Sequence, residues 1–171
     1  MRRIRPGEGT RVKAIRLSAL ADIPEAFGET LEEARTKTAE EYEVRACACA
    51  RGQDAVFLVA ENGQDDWLGM VGGHNEGDRA ELVSMWVSPG VRCQGIGQAL
   101  ISTFFEWASA TSAQEAYLFV GEKNEAAKAL YSSMGFEPTG KTEQLAWSPA
   151  VNELEMTAPL RMEPLDRASE W

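Results

Sequence analysis

The chain has 171 residues, 44% hydrophobic and 26% charged, which suits one globular domain with its own hydrophobic core. Its formal net charge of −10 disfavours nucleic acid and anionic membranes as partners, because both require a basic surface. The same charge fits a cationic partner such as an amine, although many soluble proteins are acidic only to stay dispersed. Three cysteines without a CxxC pair and a single histidine predict neither a disulfide scaffold nor a metal site.

The first residues are basic but lack the apolar segment that a signal peptide needs behind them. No apolar run approaches the roughly 18 residues that cross a bilayer. We therefore expect a cytoplasmic protein with no membrane contact. The sequence leaves the oligomeric state open, a homodimer included.

Helical periodicity dominates the first third of the chain. Apolar residues at helical spacing predict a helix over residues 10–22, which Pro24 interrupts. Residues 26–51 are rich in Glu, Ala, Arg and Lys and indicate one or two further helices, with the apolar spacing broken near 36–38.

Strand and helix patterns alternate in the remainder. Short apolar segments bounded by turn residues predict strands over 56–60, 67–73, 81–87 and 116–120, with closing strands from 136 and over 152–160. Helical patterns run from Gly95 to about 111 and from Asn124 to Met134. We predict a mixed-sheet α/β or α+β domain over residues 1–160 and a polar, poorly ordered tail over 161–171.

A glycine-bearing loop, Arg92-Cys93-Gln94-Gly95-Ile96-Gly97, joins the strand that stops at Pro89 to the next helix. The first amides of a helix have no intrahelical acceptor, and the helix dipole adds positive charge there, so the loop can bind a pyrophosphate. Gly95 and Gly97 lack Cβ, which lets phosphate oxygens approach the backbone, and Arg92 can add a charge-assisted contact. Taken alone, the loop is equally compatible with an ordinary strand-to-helix turn.

Two common phosphate motifs do not match this loop. The P-loop pattern GxxxxGK[ST] is absent, and the dinucleotide fingerprint would need a glycine where Leu100 stands.

Residues 87–97 instead resemble the Gln/Arg-x-x-Gly-x-Gly/Ala motif of the GCN5-related N-acetyltransferase (GNAT) superfamily, which follows a strand ending in Val-x-Pro. Residues 124–136 resemble the family's second block, Asn-x-x-Ala-x-x-Leu-Tyr-x-x-x-Gly-Phe. Two blocks in the right order make the resemblance specific over residues 55–160.

The resemblance implies a mixed, mostly antiparallel sheet of six to seven strands, flanked by helices and splayed between the strands at 81–88 and 116–121. The pantetheine arm of acetyl-CoA would lie in that opening and bond to the main chain of Met85 and Val87 and to Asn124. The residues that would hold the pyrophosphate are Arg92, Gln94, Gly95, Ile96, Gly97 and Gln98.

The resemblance also implies an acid for the leaving thiolate. Tyr131 matches the family position whose hydroxyl approaches the coenzyme sulfur, and a phenol can donate a proton to a thiolate. A tyrosine packed at the edge of the core is the plain structural alternative. Covalent catalysis by Cys93 is disfavoured because its loop faces the phosphates.

Glu81 is the candidate base. Strand periodicity places Glu81, Met85 and Val87 on one face, and the segment 80–83 resembles the histone acetyltransferase branch, in which a glutamate draws a proton through water. Burial would raise the pKa of Glu81 toward a useful range. His74, the only histidine, is an alternative base, and water alone is another.

The resemblance therefore implies an acetyl-CoA-dependent N-acetyltransferase that acts on a primary amine of a small molecule or protein by direct transfer in a ternary complex. An inactive acyl-CoA-binding sensor or scaffold is the alternative, and another acyl chain, such as succinyl or propionyl, stays open. Phe27, Trp86 and Trp147 could line an acceptor pocket, and the segment Glu29–Glu33 could attract a cation. No motif identifies the acceptor.

Overall fold

The computed structural model describes residues 1–160, and the tail predicted for 161–171 lies outside these described residues. Apart from the two-residue strand Arg2–Arg3, which was not predicted, helices and strands lie where the periodicity predicts them. The helices are α1 (Gly9–Asp22), α2 (Leu31–Thr36), α3 (Ala39–Arg51), α4 (Ile96–Ser109) and α5 (Glu125–Ser133). The strands are β1 (Arg2–Arg3), β2 (Ala55–Glu61), β3 (Trp67–Asn75), β4 (Arg79–Val87), β5 (Glu115–Gly121), β6 (Glu137–Leu145) and β7 (Ser148–Pro159).

The break that the sequence shows near residues 36–38 separates α2 from α3. Each helix begins with a capping box, in which a threonine hydroxyl accepts from the N3 amide and the N3 glutamate accepts from the threonine amide. The pairs are Thr30 with Glu33 and Thr38 with Glu41. The second cap starts a new helix at a point where the first has just ended.

The seven strands form one sheet in the order β1-β2-β3-β4-β5-β7-β6. All neighbours are antiparallel except β4 and β5, which are parallel because α4 crosses over between them. These two strands pair only from Arg79 with Glu115 to Glu81 with Tyr117. Beyond Glu81 they separate, which confirms the predicted splayed, mixed sheet.

Helices cover both faces of the sheet, and each face has its own core. Along β2, Val56 and Leu58 pack toward α4, whereas Phe57 and Val59 pack toward α1 and α3. This two-sided burial explains why β2 reads as a continuous apolar run and not as an alternating one.

The approach of α4 to the sheet depends on Gly73. A Cβ at this position would lie 2.6 Å from Cζ3 of Trp107 and 2.8 Å from Cε2 of Phe104. Both rings belong to α4, so a glycine in β3 lets the helix lie directly on the strand. The start of α4, which carries the candidate phosphate loop, is positioned by this packing.

Candidate functional site

The gap between β4 and β5 opens into a cleft of about 760 Å³. Residues from both faces of the sheet line it, including Phe27 on one side and Leu130 on the other. Gln94 is exposed on the loop and is the only residue of the predicted set that does not line this cleft. The predicted site residues that do line it are Glu81, Met85, Val87, Arg92, Gly95, Ile96, Gly97, Gln98, Asn124 and Tyr131.

The candidate phosphate loop presents free amides to the cleft. Gly95 adopts a left-handed conformation with φ 81°, and α4 begins immediately after it. The amide of Ala99 donates to the carbonyl of Gly95 at 3.0 Å, so Ile96, Gly97 and Gln98 precede the first intrahelical bond. Because α4 has 14 residues, its dipole adds positive charge at this point. The arrangement suits an anionic group.

Three elements converge at Gly97. A Cβ there would lie 2.9 Å from Cδ2 of Leu130 on α5 and 3.3 Å from Cε of Met85 on β4. The space beside this backbone is therefore already filled by side chains. Glycine keeps the start of α4 close to both neighbours.

Arg92 is held at the mouth of the loop by a residue that sequence reasoning missed. Its guanidinium forms an ion pair with Asp22, and its Nε donates to the carbonyl of Val87 at 2.9 Å. Asp22 also accepts from Nε1 of Trp86 at 2.9 Å, and these contacts lower the pKa of its carboxyl, with the Trp86 bond the larger favourable cause. Asp22 is the last residue of α1, and nothing in its local pattern indicates a partner so distant in sequence.

The predicted alignment of Glu81 with Met85 and Val87 on one face is wrong. In β4, Ser84 adopts φ 54°, and its strand gains one residue against β3 at this point, which is a β-bulge. Leu82 before the bulge and Met85 after it both pack toward α4, so the alternation reverses at Ser84. Glu81 therefore belongs to the opposite face from Met85 and Val87, and it reaches the cleft from the other side of the sheet.

Glu81 is half-buried, and burial is the main cause that raises the pKa of its carboxyl, followed by the nearby charges of Glu76 and Glu143. The direction is the one predicted for a base. His74 lies opposite Glu81 on β3, but its side chain is exposed and does not line the cleft. The geometry favours Glu81 over His74.

Tyr131 is buried in the wall of the cleft, with 7% of the residue exposed. Its ring packs edge-on against Phe136, with 5.8 Å between the centroids. Among residues 1–160, its hydroxyl has no hydrogen-bond partner, and burial raises its pKa, so the phenol stays protonated. Asn124 lies at the start of the same helix, where its Oδ1 accepts from the amide of Ala127 at 3.1 Å. Its amide nitrogen stays available to a ligand.

The other half of the cleft contains a buried cation, Arg16. Its Nε donates to Glu29 at 2.6 Å and its Nη1 donates to the bulge residue Ser84 at 2.7 Å. Lys37 forms a second ion pair with Glu29. Two cations already compensate the carboxylate of Glu29, so it is not free to attract a third. The expectation that the segment Glu29–Glu33 attracts a cationic ligand is therefore not met at Glu29.

Two of the three aromatic residues expected at an acceptor pocket line the cleft. They are Phe27 and Trp86. Trp147 contributes indirectly, since its Nε1 donates to the carbonyl of Phe27 at 2.7 Å. The sequence singled out these residues only because they are aromatic. Their proximity results from the fold.

The described part of the chain contains no cluster of three or more His, Cys, Asp or Glu side chains that could hold a metal ion. Across residues 1–160, each helix is too short or too polar to cross a membrane.

The chain is similar to known acetyltransferases. The model of the Acetyltransferase (GNAT) family matches residues 20–136, more than half of the chain. Human N-acetyltransferase 8 is 35% identical over 101 residues, which cover 56% of this chain and 44% of that protein. The chain spans less than half the length of the curated relatives it matches, including N-acetyltransferase family 8 member 7 of Mus musculus.

Solved structures share the fold over almost the whole chain. An acetyltransferase of the GNAT family from Streptococcus pneumoniae superposes with a TM-score of 0.77 at 19% identity, covering 92% of this chain and 96% of that one. Spermidine N-acetyltransferase from Vibrio cholerae, in complex with CoA and spermine, gives 0.74 at 18% identity, covering 93% and 94%. At these identities the likeness concerns the fold.

Proposed function

The chain belongs to the GNAT family of acetyltransferases, and from that premise we propose that it transfers an acetyl group from acetyl-CoA to a primary amine. The observation that carries this proposal is the opening of the sheet beyond Glu81. There, one continuous cleft connects the free amides at the start of α4 with the side chain of Tyr131, which carries an unpaired hydroxyl. A donor bound by its phosphates at one end would reach the phenol at the other.

We assign donor binding to the α4 side of the cleft. The amides of Ile96, Gly97 and Gln98 would bind the pyrophosphate, with Arg92 at the entrance. The separated part of β4 offers main-chain groups to the pantetheine arm, as a strand edge does to an added strand. Asn124 would contribute its amide nitrogen, because its oxygen already caps α5. Gln94 points into solvent and would contribute at most its backbone.

Two side chains would handle the protons. An amine must lose a proton before it attacks, and the raised pKa of Glu81 makes its carboxylate a better acceptor than an ordinary glutamate. The amine nitrogen then forms a bond to the acetyl carbon, and the carbon–sulfur bond breaks. Tyr131 would supply the proton that the leaving sulfur takes up, since burial keeps the phenol protonated.

Direct transfer in a ternary complex needs no nucleophile from the protein. Cys93, the one cysteine on the cleft wall among the described residues, lies in the loop assigned to the phosphates. It is therefore remote from the step that Glu81 and Tyr131 would serve. A two-step route through an acetylated thiol has no support in this geometry.

The experiment that tests the proposal is a thiol-release assay with acetyl-CoA against amines, polyamines, aminoglycosides and peptides with free N-termini. We expect coenzyme A to appear only when an acceptor is present, and an acetylated product of matching mass. Succinyl-CoA and propionyl-CoA serve as donor controls. Tight binding of acetyl-CoA by calorimetry with no turnover of any amine would instead indicate a sensor or scaffold.

A further inference from the structure

We propose that the acceptor carries a second positive charge besides the amine that reacts, and that Glu153 on β7 binds it. The inference rests on the proposed function, because it concerns the acceptor side of the same cleft. Three carboxylates line this cleft from three different strands, namely Glu81, Glu143 and Glu153. Only the fold brings them together.

The cations on the cleft wall do not compensate these carboxylates. Arg16 is paired with Glu29, and Arg92 is paired with Asp22. Each of these two positive charges is therefore already bound to a carboxylate outside the three-carboxylate group.

Within the group itself, one carboxylate has a counterion and two do not. Nζ of Lys141 lies 3.0 Å from Glu143. Among residues 1–160, no side chain forms an ion pair or hydrogen bond with Glu81 or Glu153. The cleft therefore holds two half-buried negative charges without partners, a costly arrangement unless a cationic ligand completes it.

The arrangement of β6 and β7 makes this cost larger. Glu143 and Glu153 lie directly opposite each other in the antiparallel register, where like charges destabilise a strand pair. Burial, followed by the charge of Glu143, raises the pKa of Glu153. A cation beside Glu153 would relieve both effects.

A second observation marks the same cleft as a ligand site. The hydroxyl of Tyr131 is aimed into it from a residue that is only 7% exposed, and it has no partner within the described part of the chain. A hydroxyl that no protein group binds, on a side chain otherwise enclosed by the fold, is available to hydrogen-bond a molecule in the cleft. The carboxylates and the phenol face one and the same space.

The proposed reaction accounts for one of the two free carboxylates. Glu81 would take the proton of the reacting amine, which leaves Glu153 without a role in the transfer. A monoamine supplies one positive charge and satisfies one carboxylate. A diamine, or a molecule that carries an amine and a second cationic group, supplies a positive charge for each of the two carboxylates. This is the kind of acceptor that we propose.

The test compares butane-1,4-diamine with butylamine in the thiol-release assay with acetyl-CoA. We expect kcat/KM to favour the diamine by at least about tenfold, and Glu153→Gln to lower that ratio by about tenfold or more. Glu137→Gln is the matched control, because Glu137 is an exposed glutamate of β6 outside the cleft wall, and it should leave the ratio unchanged. Thermal melting verifies that each variant folds.

A second measurement needs no variant. Raising the salt concentration should raise KM for the diamine more than KM for butylamine, because charge attraction is screened. Equal use of both amines, or an unchanged ratio in Glu153→Gln, would overturn the inference while the transferase function stands. No turnover with any amine, although acetyl-CoA binds, would overturn the proposed function and the inference with it.

Discussion

Replacing Tyr131 by phenylalanine removes a single oxygen atom from the wall of the cleft. The ring packs against Phe136 through its edge, and this contact does not involve the hydroxyl. The hydroxyl has no hydrogen-bond partner among residues 1–160, so the folded protein loses no internal bond when it is removed. The variant therefore separates a chemical role of the phenol from a packing role.

The structure sets the size of both expected effects. Removing a hydroxyl that has no partner within the described protein should change the free energy of unfolding by no more than about 0.5 kcal/mol, because no internal hydrogen bond is lost. For a chain of this length, that corresponds to a change in Tm of at most about 2 °C. Loss of the proton donor should lower kcat by at least about tenfold, while the Kd of acetyl-CoA changes by no more than a few-fold.

Tyr117→Phe is a matched control with the opposite expectation. Tyr117 is equally buried at 7% exposure, but its hydroxyl donates to Glu76 at 2.7 Å and does not line the cleft. Removing that bond should cost about 1 kcal/mol and lower Tm by about 2–4 °C, with kcat nearly unchanged. Thermal melting, calorimetry with acetyl-CoA and the thiol-release assay measure these quantities for both variants.

Two results would contradict the role assigned to Tyr131. Unchanged kcat in Tyr131→Phe would remove the acid assignment. A marked loss of stability would show instead that the hydroxyl is bonded in the folded protein, and any fall in kcat could then be structural.

Three further variants test other parts of the site. Gly97→Leu should raise the Kd of acetyl-CoA at least about tenfold by calorimetry, because its side chain must displace Leu130 beside the phosphate loop. Glu81→Gln should lower kcat/KM at pH 7 and abolish the fall in activity on acidification. In the parent protein that fall should lie above the ordinary glutamate pKa of 4.5, because burial raises the pKa of Glu81. Gly73→Ala should lower the free energy of unfolding in urea by about 1–3 kcal/mol, because its Cβ would overlap Trp107.

For each variant, one result would contradict the expectation. Unchanged coenzyme affinity in Gly97→Leu would remove the loop from the donor site. An acid limb that persists in Glu81→Gln would transfer the base role to another group. A Gly73→Ala protein as stable as the parent would mean that α4 can move away from the sheet without loss.

The sequence predicts the elements of this fold because each has a local cause. Apolar spacing marks the helices, and the turn residues Asn62-Gly63 mark the first hairpin. The candidate phosphate loop is likewise local, since its glycines, its strand and its helix are contiguous along residues 87–100. Such features are visible without any knowledge of what lies across the sheet.

The contacts that complete the site are not local, and the sequence could not reveal them. Asp22 meets Arg92 across 70 residues, and Glu143 faces Glu153 only because β6 and β7 pair in one particular register. In a single sequence, a charged residue is interpreted as exposed to solvent unless its partner is known. The proposed acceptor side of the cleft, built from such pairs, is therefore the part that the sequence could not predict.

The bulge at Ser84 explains why strand periodicity placed Glu81 on the wrong face of β4. From Leu82 onward, strand β4 contributes apolar residues to the cores on both faces, so a reversal of its alternation leaves no clear trace in the pattern of residues. The reversal puts Met85 and Val87 on the α4 side and Glu81 on the other, at the point where β4 and β5 separate. If the donor follows Met85 and the base is Glu81, the reacting atoms must meet within the gap of the sheet itself. The amine would then enter from the face that carries Arg16, and the thioester from the face that carries α4.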